Sequence, residues 1–111
     1  MTNRTPFVAV LLYESTSDAA DYEVMYQEDF VLLYAESEEA ARKLALDKAK
    51  EQECTYQNGQ GETITLSLKH VIDVASAVSD DLTAGGDLYT RHFRDYASYR
   101  RMEPLLNEKP L

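Results

Sequence analysis

The sequence has little cysteine and histidine and no tryptophan, and these shortages exclude several classes of protein. Cys54 is the one cysteine among 111 residues, so no internal disulfide can form, and a lone thiol is typical of a reducing compartment. With Cys54, the two histidines His70 and His92 form no zinc-ligand spacing. The four glycines form no phosphate-binding motif. We therefore expect neither a metal nor a cofactor.

Basic residues and long hydrophobic runs are also scarce. The chain carries 20 acids against 11 Lys and Arg, for a net charge of -9. Phosphates are bound by clustered Lys and Arg, so nucleic acid and anionic membranes are disfavoured as partners. The longest apolar run, residues 7–13, is far shorter than the about 20 residues of a membrane-spanning helix. The first residues show no signal-peptide pattern, and we expect a cytoplasmic protein.

What the sequence does contain is typical of a globular α+β domain. Hydrophobic residues make up 44% and charged residues 28% of the chain, which are ordinary values for such proteins. A chain of 111 residues fits one domain. We predict a single domain over residues 1–102, followed by a loose C-terminal tail over residues 103–111 that contains two prolines.

The first half of the chain predicts two strands and a helix. Residues 6–14 and 28–36 are apolar on both alternating faces, as in strands buried on both sides. The short polar connection 15–23 favours antiparallel pairing. Ser37 is a good N-cap for a helix over residues 38–53, which are rich in helix formers. Small residues dominate its expected inward stripe, which comprises Ala40, Ala41, Leu44, Ala45 and Ala49.

The segment after this helix predicts a hairpin. Residues 54–58 and 62–70 flank a turn with Asn58-Gly59 and Gly61, which is a hairpin signature because Asn and Gly tolerate the positive φ that such turns need. The following apolar residues, 71–78, either continue the second strand after a bend or form another strand after a tight turn. We favour a bend near residues 69–70. His70 continues the inward alternation, which predicts a half-buried histidine.

The last part predicts a loop over residues 80–87 and a helix over residues 88–102. The expected architecture is an antiparallel sheet of about four strands in the order β-β-α-β-β-α, with one or two helices packed on it. Strands that are apolar on both faces need cover on both faces. The C-terminal helix supplies the second cover, on a face or an edge, or else a second copy does so in a homodimer.

The charge is unevenly distributed along the chain. No Lys or Arg occurs between Arg4 and Arg42, where nine acids lie, and strand pairing gathers most of them at one end of the sheet. Such an end attracts a basic protein, although acidic surfaces also serve solubility. Tyr22 and Tyr26 lie in or beside this acidic connection, and tyrosine is enriched at protein interfaces. The candidate partner-binding residues are Glu14, Asp18, Asp21, Tyr22, Glu23, Tyr26, Glu28 and Asp29.

A second candidate site surrounds an acid in an apolar strand. Asp73 lies between Ile72 and Val74, so if buried it must be hydrogen-bonded or paired, for which Arg91 is a candidate. We prefer a structural anchor to a catalytic role here. The residues of this pocket, between the sheet and the C-terminal helix, are Asp73, Tyr89, Arg91 and His92. No nucleophile motif occurs, so we name no catalytic residue and lean against an enzyme.

Several short motifs occur in a characteristic order. They are Leu11-Leu12-Tyr13-Glu14-Ser15, Ala35-Glu36-Ser37-Glu38-Glu39-Ala40, Tyr56-Gln57-Asn58, Gly61-Glu62, Val71-Ile72-Asp73-Val74 and Gly86-Asp87-Leu88-Tyr89-Thr90-Arg91. In this order the chain resembles a family of small bacterial proteins, domain of unknown function 4288. The resemblance extends over residues 8–92, and the tail from Phe93 onward is longer than expected for the family. The resemblance implies an α+β fold and a bacterial source but no activity.

Three functions remain open at this point. We favour a small, acidic, non-catalytic protein-binding module, of the kind found among immunity and antitoxin proteins that neutralise a basic partner. The alternatives are a small-molecule-binding or enzymatic domain that uses the pocket, and a structural subunit of a homo-oligomer. Salt discriminates among them, because a charge-steered complex weakens as ionic strength rises.

Overall fold

The structure, a computed structural model, describes residues 3–107. The elements, in chain order, are β1 (Thr5–Ser17), β2 (Met25–Ala35), α1 (Glu38–Gln52), β3 (Cys54–Gln57), β4 (Thr63–Ser76) and α2 (Tyr96–Met102), with 3₁₀ turns at Leu82–Ala84 and Pro104–Asn107. The strands form one antiparallel sheet in the order β2-β1-β4-β3, which confirms the α+β class and the four strands.

β1 is a central strand and supplies the core on both faces of the sheet. It pairs with β2 on one side and β4 on the other. Successive side chains of a strand point to opposite faces, so one set packs under α1 and the alternate set lies on the side opposite α1, called the second face below. Phe7 and Leu11 belong to the helix face, whereas Val8 and Val10 belong to the second face. All four are buried.

α1 begins and packs largely as its sequence predicts. The Ser37 hydroxyl accepts a hydrogen bond of 3.1 Å from the Ala40 N–H, which satisfies one of the free donors of the first turn. Three alanines at four-residue spacing are fully buried against the sheet: Ala41, Ala45 and Ala49. Leu44, expected on this stripe, is exposed, because the alanines face the sheet and Leu44 lies beside their line.

β4 is one long strand with two irregularities in its pairing with β1. The register shifts between Leu12 and Tyr13 of β1, and again between Val10 and Leu11. The first shift confirms the bend near residues 69–70. A bulge changes which residues face each side, and His70 is consequently exposed. The prediction that His70 is half-buried was therefore wrong.

β2 differs from its prediction as a strand buried on both sides. It lies at the edge of the sheet, and only its helix face is covered. On the second face its large side chains remain exposed, with fractions of 63% for Phe30, 44% for Leu32 and 49% for Tyr34. The second face is thus covered over β1 and open over β2.

The chain after β4, residues 77–89, crosses the second face as an irregular turn, which we call the crossing turn. Val78 and Ser79 donate backbone hydrogen bonds to the carbonyls of Leu88 and Asp87, at 3.1 and 2.8 Å. Gly86 adopts a φ of 142°, a backbone conformation that side-chain-bearing residues rarely adopt. This turn brings residues 87–89 back over the sheet.

The helix predicted over residues 88–102 forms only from Tyr96 to Met102. Residues 87–88 are held in backbone pairing, and Asp95 caps the short helix by accepting a hydrogen bond of 3.0 Å from the Ser98 N–H. α2 buries none of its residues, so it does not cover the second face as expected. The predicted loose tail begins with a 3₁₀ turn, and residues 108–111 lie outside the described residues.

Within residues 3–107, no helix has the length and apolar character needed to cross a membrane.

Candidate functional site

The loop between β1 and β2 gathers acidic side chains at one end of the sheet. Asp21 and Glu23 are exposed there, and Tyr22 is half-buried. Asp18 is exposed as well, but one of its carboxylate oxygens accepts a hydrogen bond of 3.0 Å from the Thr63 N–H. Asp18 therefore joins the loop to the start of β4, which leaves Asp21 and Glu23 as the freely presented acids of this loop.

Three more of the predicted residues extend this acidic end along the second face. Glu14 accepts a hydrogen bond of 3.1 Å from Nζ of Lys69. The same Nζ lies 5.9 Å from the centre of the Tyr26 ring, within the range of a cation–π interaction. Glu28 is exposed opposite Leu12. We call Glu14, Asp18, Asp21, Tyr22, Glu23, Tyr26 and Glu28 the acidic hairpin end.

Asp29 does not belong to this surface. It follows Glu28 in a strand and therefore points to the helix face. There it accepts a hydrogen bond of 3.0 Å from the Gln27 amide. Burial raises the pKa of Tyr13, and the charges of Asp29 and Glu53 raise it further. The Tyr13 hydroxyl is buried and makes no hydrogen bond within the described residues. The structure thus brings seven of the eight predicted residues to one end of the sheet and separates Asp29.

The sequence interpretation missed two features of the acidic hairpin end. Val24 and Met25 are exposed beside it, at 45% and 64%, so apolar surface accompanies the acids. Lys69 reaches it from β4, more than 40 residues away in the chain. The Val-Met-Tyr run at the start of β2 was the available signal for the first feature. No local signal could have indicated the second.

An apolar cleft of about 520 Å³ lies on the second face, between β2 and the crossing turn. The rings of Phe30 and Tyr89 approach each other there, with centroids 6.3 Å apart and planes inclined by 45°. Besides these rings, the lining includes Val8, Leu32, Asp87 and Leu88. The cleft therefore combines aromatic and aliphatic surface with one carboxylate at its rim.

The Tyr89 hydroxyl donates a hydrogen bond of 2.7 Å to Asp73. Asp73 is half-buried and is anchored by this phenol rather than by Arg91, the partner considered from the sequence. Burial and the hydrogen bond to Asp73 raise the pKa of Tyr89, while the charge of Arg91 opposes the rise. Arg91 and His92 are exposed and do not line the cleft. Of the four predicted pocket residues, the structure joins Asp73 and Tyr89.

These two regions offer recognition chemistry: carboxylates that attract cations, rings that stack, and apolar surface that can be covered. Within residues 3–107, no group of three or more His, Cys, Asp or Glu side chains could hold a metal ion. The Cys54 thiol is exposed at the start of β3, away from both regions in the sheet order.

Fold and site together define a small α+β protein with an acidic, partly apolar surface. The chain belongs to the family described as Domain of unknown function (DUF4288), whose profile matches residues 6–90. This match confirms the resemblance found in the sequence, and it covers the sheet apart from Thr5, together with α1 and the crossing turn. No curated protein and no solved structure matches the chain. The family description names no activity.

Proposed function

We propose that this chain is a non-catalytic protein-binding module whose acidic hairpin end binds a basic protein. The observation that carries the proposal is the coincidence of acids and exposed apolar side chains at one end of the sheet. Asp21 and Glu23 supply charge beside Val24 and Met25. Specific interfaces combine an apolar centre with a polar rim, whereas a purely solubilising surface needs no exposed apolar residues.

The charge pattern supports a basic partner in particular. The hairpin formed by β1 and β2 contains no Lys or Arg of its own, and Lys69, which reaches it from β4, is engaged by Glu14. A surface of one sign steers an oppositely charged protein and raises its association rate. More specifically, we propose an immunity- or antitoxin-like protein of the bacterial cytoplasm. The exposed lone thiol of Cys54 fits that reducing compartment.

The test is affinity capture from the source cell at two salt concentrations, with mass spectrometry of the eluted proteins. A basic protein should bind in about 0.01 M salt, where the Debye length is about 30 Å, and be lost in about 1 M salt, where it is about 3 Å. The variant D21K/E23K should lose the same protein. Both positions are exposed, and neither side chain makes a hydrogen bond in the described chain, so folding should be unaffected.

The matched control is D47K/E51K, which makes the same change of charge on exposed positions of α1. It should retain the partner. Equal loss in both variants would mean that only net charge matters, and would contradict a site at the acidic hairpin end. Capture that is unaffected by D21K/E23K would contradict it as well.

A further inference from the structure

The chain beyond the crossing turn is a projecting arm with an apolar surface. We define the C-terminal arm as residues 90–107. Phe93 and Tyr99 stack within it, with ring centroids 4.7 Å apart, and α2 contacts the 3₁₀ turn that follows it. Its large apolar side chains are nevertheless exposed: Phe93, Tyr96, Tyr99, Met102, Leu105 and Leu106. Large apolar side chains that are exposed together on one short segment mark an interaction site.

The arm also differs from the rest of the chain in charge. Residues 90–107 carry four arginines and two acids, a balance of +2, whereas residues 1–89 carry 17 acids and six Lys or Arg, a balance of -11. The Cα radius of gyration is 17.3 Å, against roughly 13 Å for a compact chain of this length. Since α2 also packs mainly on the 3₁₀ turn that follows it and not on the sheet, the basic, apolar arm extends away from an acidic body.

The body presents a surface complementary to this arm. On the second face, Phe30, Leu32 and Tyr34 are exposed beside the apolar cleft. Carboxylates border the same area, with Asp87 in the cleft lining and Glu28 two residues before Phe30 on the same face. The surface is thus apolar with an acidic rim, and the arm is apolar with interspersed arginines.

We propose that two copies of this chain exchange their C-terminal arms, so that the arm of each copy covers the second face of the other. One copy by itself leaves both the arm and the face exposed, and a reciprocal exchange covers both. Exchange about a two-fold axis makes the interface closed and self-complementary. The four arginines of each arm also offset the repulsion between two acidic bodies. The acidic loop residues Asp21 and Glu23 stay available for a partner.

Sedimentation or light scattering across a micromolar concentration series gives the first test. The full chain should have twice the monomer mass of 12.6 kDa. The arm variant M102S/L105S and the face variant F30S/L32S should both show the monomer mass. All four side chains are exposed, so the fold should persist, which circular dichroism checks. The control L44S/L46S removes exposed leucines from α1 and should remain dimeric.

Crosslinking distinguishes exchange from other arrangements. In a Cys54→Ser background, one variant carries Met102→Cys on the arm and another carries Leu32→Cys on the face. A short bifunctional thiol crosslinker should join the two variants when they are mixed, because arm and face then belong to different copies. A chain with both cysteines that crosslinks only within itself would mean that the arm folds onto its own body, and would overturn the proposal. A monomeric full chain, or a dimer that both the arm and the face variants leave intact, would also overturn it.

Salt separates this proposal from the proposed function. The arm–face contact is largely apolar, and salt screens the attraction of the arginines to the acidic rim as well as the repulsion between the acidic bodies, so the dimer should persist in about 1 M salt. Capture of a basic protein by the acidic hairpin end should be lost in about 1 M salt. The dimer proposal can therefore fail while the proposed function holds, and the reverse is also possible.

Discussion

The Tyr89 hydroxyl donates a hydrogen bond of 2.7 Å to the Asp73 carboxylate, across 16 residues of chain. This bond ties the crossing turn to β4 and places the Tyr89 ring beside Phe30 in the cleft. Asp73, an acid inside an apolar strand, thereby anchors the crossing turn.

Replacing Tyr89 with Phe should lower the free energy of unfolding by about 1 kcal/mol, because the ring remains and the hydrogen bond is lost. Asp73→Asn should lower the free energy of unfolding by less than Tyr89→Phe does, since the amide oxygen of Asn can still accept the hydrogen bond. Tyr56→Phe is the control, as Tyr56 is exposed on β3 and its hydroxyl makes no hydrogen bond in the described chain. Urea unfolding measures all three. Equal values for Tyr89→Phe and Tyr56→Phe would show that the bond does not hold the turn.

Gly86→Ala should displace the crossing turn. A Cβ atom at Gly86 would collide with the Ser79 hydroxyl, and the φ of 142° is itself strained for alanine. Ser79 donates its N–H to the Asp87 carbonyl, so the collision falls on the pairing that positions the turn. We expect a loss of roughly 1–3 kcal/mol and a changed environment of Phe30 and Tyr89, measured by urea unfolding and NMR.

Two companion variants test whether the close approach of Gly86 to Ser79 causes this loss of stability. Gly59→Ala is the control, because a Cβ there has no atom within 4 Å and its φ is not in the positive range. It should change stability by less than 1 kcal/mol. The double variant S79A/G86A removes the hydroxyl, and should recover the part of the loss that comes from the collision but not the backbone strain. If Gly86→Ala behaved like Gly59→Ala, the turn would not depend on close approach at Ser79.

Local signals predicted those elements that local chemistry determines. The Ser37 cap and the helix formers after it placed α1 within a residue of its observed end. The turn residues Asn58, Gly59 and Gly61 identified the β3–β4 hairpin, and of these three the positive φ occurs at Gly61, at 77°. Helical spacing after Leu88 was misleading, because pairing with residues 78–79 and the bond from Tyr89 to Asp73 compete with helix formation.

The exposure of β2 depended on information that its own residues do not carry. Residues 30–34 are apolar on both alternating faces, as in a strand buried on both sides, yet β2 lies at the sheet edge. That position is set by the order of all four strands. The candidate site depended on both local and non-local information. The acids could be predicted from charge density, and the separation of Asp29 follows from strand alternation. The approach of Lys69, in contrast, follows from the pairing of β4 with β1.

Ser37→Ala should lower the free energy of unfolding by about 1 kcal/mol. The hydroxyl accepts the Ala40 N–H, and alanine leaves that donor without a partner in the first turn. Ser37→Gly should cost only a few tenths of a kcal/mol. Urea unfolding followed by circular dichroism gives both values. A cost for glycine equal to that for alanine would mean that the cap contributes little.

Tyr13→Phe should leave stability unchanged or raise it by about 1–2 kcal/mol, because the buried hydroxyl of Tyr13 has no partner within the described residues and such a group is costly to bury. By contrast, Leu11→Ala at a neighbouring buried position should cost about 2–5 kcal/mol. A loss for Tyr13→Phe of more than 1 kcal/mol would indicate that the hydroxyl is hydrogen-bonded after all.

The raised pKa of Tyr13 also predicts how stability responds to alkali. Above the ordinary tyrosine pKa of 10.0, the unfolded chain releases this proton while the folded chain retains it. The folded state then binds more protons than the unfolded state, so stability falls as pH rises through this range. Unfolding midpoints in urea between pH 8 and about pH 11 should fall less steeply for Tyr13→Phe than for the unaltered chain. Tyr56→Phe should follow the unaltered chain, and equal slopes for all three would contradict a raised pKa at Tyr13.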